Sequence, residues 1–263
     1  MPSFSKTRQF FEKIKNNLLI IHYSCENLSD NNDGLSPRIT SIVIHHTNGN
    51  STHSFSIHLQ AEIKQIAKEE IENHYNDLEK DMLENFYKFV RDHTDYYWLH
   101  WNMRNINFGF EAIAHRYKVL TQNEPPIIDD NKRINLSSQI FKKYGYNCVD
   151  HPKMANIMKL NDELPRDFLT GEKEVEAFKN KEYFKLHKST LSKVTMFNIL
   201  LNKLLYGKIK TKRSNFPQKI NDFMELPLIK ILGFLGILAS IGGGIYLISS
   251  KWIKIIAVIK NIF

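Results

Sequence analysis

The chain has 263 residues, with 36 basic and 28 acidic side chains, a net charge of +8 and 2 cysteines. Cys25 and Cys148 cannot form a disulfide framework and show no CxxC spacing, which excludes a disulfide-stapled scaffold and a thiolate zinc or redox motif; both read as reduced, buried thiols. The excess charge is local: Asn202 to Phe263 holds 10 basic residues against Asp222 and Glu225, leaving 26 of each sign before it, so a pI near 9.2 does not mark a nucleic-acid binder.

At the N-terminus, MPSFSKTRQFFEKIKNN is followed by LLIIHY, an apolar stretch too short for a signal peptide and without a small-residue cleavage site, so nothing suggests export. A short helix is expected around Ser5 to Asn16. Leu18 to Leu28 is a continuous apolar run with β-branched residues, the pattern of a central strand. After a polar loop, Ile39 to His46 and His53 to Leu59 are expected as strands, joined by a hairpin with Asn48-Gly49 at its turn. Gln60 to about Arg91 has helical apolar spacing, Tyr96 to Asn102 reads as a fourth strand, and Phe108 to Leu120 as a helix. Beyond Pro125-Pro126, LSSQIFKKYG and HPKMANIMKLN are expected as short helices. Glu172 to Tyr206 is helical in pattern, either a stalk or a pair of helices. A basic linker, Gly207 to Lys219, follows, broken by Pro217.

Ile231 to Ser250 is twenty residues without a charge, enough at about 1.5 Å per residue to cross a hydrocarbon core about 30 Å thick. Lys230 before it, and Lys251, Trp252 and Lys254 after it, suit headgroup positions; the alternative is a buried core helix. Basic residues ahead of the span favour a cytoplasmic N-terminal domain on the inner membrane, and those from Lys203 to Lys219 would gain about 1 kcal/mol for each charge held near anionic lipid. Gly236, Ser240 and Gly244 form a small-residue stripe, with Gly233 beside it, that suits close packing between copies; glycine is also simply frequent in membrane helices. The tail after the span is too short to cross again and is expected at the interface.

Three strands, a helix, a strand ending His100-Trp101-Asn102 and a further helix, with His151 in a later segment, resemble the ribonuclease H-like fold of DEDDh 3′-5′ exonucleases. That family places Asp-x-Glu at the end of the first strand to hold two metal ions; here Ser24-Cys25-Glu26 keeps only the glutamate. No aspartate follows Asn102 near Phe108, and Asn156 stands where one is expected after His151. One glutamate cannot balance two divalent cations, so no catalytic residues, metal or cofactor are assigned. The resemblance implies a degenerate domain that binds a single-stranded end, with Glu26, His100, Trp101, Asn102, Arg104, Arg116 and His151 as candidate contacts. The bland reading makes these ordinary capping, core or salt-bridge residues.

With a C-terminal span, the whole resembles the channel-forming effectors of Hailong anti-phage defence. That implies a tetrameric channel held closed by single-stranded DNA oligomers from a partner nucleotidyltransferase. The expected architecture is therefore an α+β (α/β) ribonuclease H-like domain over 1–165, a helical stalk and basic linker over 166–219, a transmembrane helix over 230–251 and an interfacial tail over 252–263. The alternatives are a membrane-tethered metal-dependent exonuclease using Asp129, Asp130 or Asp150 with Glu26 and His151, and a non-enzymatic membrane adaptor.

Overall fold

Leu18–Cys25 (β1) is buried along its whole length, and apolar but for His22 and Ser24, because it becomes the middle of the five described strands and is covered on both faces. It pairs antiparallel with Ile39–His46 (β2), which pairs antiparallel with Thr52–Ser56 (β3); on its other side it runs parallel to Tyr97–His100 (β4), and β4 parallel to Arg133–Asn135 (β5). The order is β3-β2-β1-β4-β5, so only β2 runs against the others. The edges are a short strand with a mostly exposed polar sequence, THSFS, and a three-residue strand. The computed structural model describes residues 4–26, 37–104 and 108–212. The predicted span, its stripe of Gly233, Gly236, Ser240 and Gly244, and the tail lie outside the described residues. Among the described residues, no helix is long and apolar enough to cross a membrane.

Among the described residues, eight α-helices accompany the sheet. Phe4–Ile14 (α1) precedes β1; Ile57–Ile63 (α2) and Tyr75–Asp92 (α3) follow β3; Phe110–Thr121 (α4) follows β4. Leu136–Tyr144 (α5), Lys153–Leu160 (α6), Gly171–Lys179 (α7) and Tyr183–Leu205 (α8) complete the chain's described part. On α3, Leu78, Met82, Phe86 and Val90 recur every four residues and pack with Leu19, Ile21, Tyr23 and Trp98 of the sheet in one apolar core.

Several expectations are corrected. The alternation in HSFSIHL ends early, because the Ser56 hydroxyl accepts the Leu59 N–H and caps α2; His58 is therefore a helix residue. The left-handed pair in the hairpin is Gly49 (φ 82°) and Asn50 (φ 55°), one residue later than Asn48-Gly49. β5 escapes the sequence reading because three residues are too few to show alternation. The region from 172 to 206 is a pair of helices, and the second is no stalk: residues 5–213 form one compact unit, with α8 laid across β1 and β2. Its Phe197 stacks on Trp101 at 5.8 Å and Thr190 bonds Ser24 at 3.1 Å. Both sheet faces are core.

Candidate functional site

The parallel strands bring their C-terminal ends to one edge: Ile21 pairs with His100 and His100 with Asn135, and β1 continues past that level to Cys25 and Glu26. Open α/β sheets bind ligands outside such ends. The chain leaves β4 through a tight turn closed by His100, whose Nδ1 accepts the Met103 N–H at 2.9 Å. The ring is thus neutral, with its proton on Nε2. Burial first, then the Arg104 and Arg133 charges, push its pKa down to about 3.

Asn102 adopts φ 51°, a left-handed conformation that asparagine tolerates. Its Oδ1 accepts from Arg104 Nη2 and from Asn135 Nδ2, each at 3.3 Å. Asn135 is held by the helix it caps, accepting the Ser138 N–H at 3.1 Å and the Ser137 hydroxyl at 2.7 Å. Asn102 and Arg104 are exposed, and Arg104 has no carboxylate partner among the described residues. The edge therefore presents one amide, Asn102, and one guanidinium, Arg104, groups that bind phosphate oxygens and base edges, while Asn135 is buried behind them.

The other candidates fall elsewhere. His100 is 1 % exposed and packs its ring edge against Phe110. Trp101, 6 % exposed, stacks on Phe197 and meets Phe141 in a T-shaped contact; the His100 and Trp101 side chains are thus buried and neither offers a face to a ligand. Arg116 is a core cation: Nε and Nη2 grip the two carboxylate oxygens of fully buried Glu79 at 2.9 and 2.7 Å, while Asn76 accepts from Nη2 at 3.2 Å. Glu79 also accepts the Ile39 N–H at 2.7 Å; burial pushes its carboxyl upward and these donors oppose the push. Glu26 is half-buried and within electrostatic reach of Arg116. His151 is exposed in the loop before α6, and no contact among the described residues joins it to the β4 turn.

At the position where the resemblance asks for a carboxylate, Ser24 bonds Thr40 at 2.6 Å and accepts from Thr190 at 3.1 Å, a closed set of neutral hydroxyls. Asp130 pairs with Arg133 at 2.9 Å and Asp150 with Lys212, so both are engaged away from Glu26. Among the described residues, no group of three or more His, Cys, Asp and Glu is arranged to hold a metal ion.

Sequence reasoning missed Asn135 and the buried polar groups along α8. There Ser41 of β2 bonds His187 Nδ1 at 2.7 Å, and Lys193 pairs with Glu174 of α7 at 2.7 Å, both nearly buried. Asn135 ahead of an apolar helix is a legible cap signal, whereas these groups come from residues far apart in the chain. Comparison with known proteins finds no matching family model, and no match among curated proteins or solved structures.

Proposed function

We propose that the described body is a ribonuclease H-like module that binds a single-stranded DNA end without cutting it, and that it gates an oligomeric, C-terminally anchored membrane channel in anti-phage defence. What supports the first half is the meander of β1, β2 and β3 continued by parallel β4, with Asn102 and Arg104 presented at the carboxyl edge and Asn102 held from below by buried Asn135. The neutral Ser24, Thr40 and Thr190 set supports binding over two-metal hydrolysis, because hydroxyls cannot offset divalent charge. The membrane half rests on the uncharged run from Ile231 to Ser250 and its small-residue stripe.

A ligand gates only if it binds one arrangement more tightly than the other. The test is ion flux through liposomes carrying the full chain, with and without short single-stranded DNA. Flux that the oligomer suppresses is expected; no flux in any ligand state rejects the channel. Arg104→Ala is expected to weaken DNA binding about three- to tenfold and to reduce the salt slope by about one, as loss of one phosphate contact does. DNA cleavage above background with Mg²⁺ or Mn²⁺ would replace this reading with the exonuclease.

A further inference from the structure

The last described residues turn back onto the body. α8 ends with Lys208 N–H donating to Lys203 O at 2.7 Å and Gly207 N–H to Leu204 O at 3.1 Å, with Gly207 at φ 66°, a Schellman reversal. The reversed segment is then fastened. Ile209 is fully buried. Asn161 binds the backbone of Lys210 twice, accepting its N–H at 2.9 Å and donating to its carbonyl at 3.1 Å. Lys212 N–H donates to Cys148 O at 3.0 Å. Three ion pairs lie over these bonds: Lys203 with Glu163 at 2.8 Å, Lys210 with Asp162, and Lys212 with Asp150.

Lys203, Lys210 and Lys212 of the basic run thus already have carboxylate partners within the body. The attachments also differ in kind. Ile209 and the Asn161 bonds do not depend on ionic surroundings. The Lys210 and Lys212 pairs are solvent-exposed, and such pairs are weak and readily screened. An anionic surface offers the same lysines negative charge at higher density.

We propose that residues 207–212 are a releasable basic strap: Asp162 and Asp150 occupy its Lys210 and Lys212 in the folded body, and at an anionic lipid surface headgroup phosphates replace those carboxylates and the strap peels from Asn161 and Cys148. The inference rests on the reading that the chain beyond the strap enters a bilayer. It adds a lipid-sensitive element at the C-terminal end of the described residues.

Hydrogen exchange on the full chain in nanodiscs tests it. In phosphatidylcholine discs the amides of 208–212 should be protected, and added phosphatidylglycerol should speed their exchange about tenfold, the scale of two weak pairs exchanged for another partner. Asp150→Asn with Asp162→Asn should reach the fast rate in neutral discs, and Gly207→Ala, strained at positive φ, should do so without changing any charge. Identical exchange in both lipids, or in the double variant and the parent, overturns the strap. A chain that enters neither disc overturns the membrane reading on which it rests.

Discussion

Replacing Arg116 by methionine is expected to lower the unfolding free energy by about 3–5 kcal/mol, because it leaves the Glu79 carboxylate buried without its cation. The loss comes less from Coulomb attraction forgone than from a charge stranded where water cannot reach. Glu79 would escape part of that cost by taking up a proton, which its upward-shifted pKa already favours. Arg116→Met with Glu79→Leu should therefore recover much of the stability, while the Ile39 N–H would still lack its acceptor. Urea unfolding of the parent, both single variants and the double variant gives the coupling directly; additive losses would show that the pair is not one unit.

The second large effect is on acid stability. Folding depresses the pKa of His100 to about 3 and of His187 to about 4, and that of His22 well below its ordinary value; burial is the leading cause in each, joined by Lys193 at His22 and by His58 at His187. The folded state thus binds fewer protons than the unfolded one. Stability is complete above about pH 6.5, the unfolded histidine pKa, and falls as pH drops through the folded values toward 3. At about 1.36 kcal/mol per unit, these groups together remove several kcal/mol by pH 4. A melting temperature flat from pH 7 to 8 and falling steeply below 6 is the expected profile. His187→Asn should flatten that fall, and a profile indifferent to it would show that His187 does not titrate on unfolding.

Much of the sheet is legible in the sequence because its signals are local. The mostly apolar run at 18–25 and the four-residue spacing of α3 each follow from side chains within one element, whereas the hairpin turn falls one residue later than its Asn-Gly signal. Helix α8 is different. Its pattern mixes Leu186, Val194 and Phe197 with His187, Thr190 and Lys193, which reads as half-solvated until their partners on β1, β2 and α7 are known. The candidate site divides in the same way. Asn102 and Arg104 are exposed because the turn after β4 carries them past the sheet, whereas Trp101 and Arg116, the residue types most suggestive of nucleic-acid contact, are recruited by the core. A motif shows which residues are close in sequence, but burial decides which of them meet solvent, and burial here is set by α8 and Glu79, both remote in the chain.

The sheet's two edges bear on how copies can gather. An unpaired strand edge is a template for another chain's strand, and the hazard grows with edge length and apolar character. Here one edge is β3, with Thr52, His53 and Ser54 exposed, and the other is only Arg133–Asn135. Crowding many copies onto a small area would therefore bring together one hydrated border and one short, largely buried one. The sheets would stay discrete, and each copy would keep its own fold when others come near.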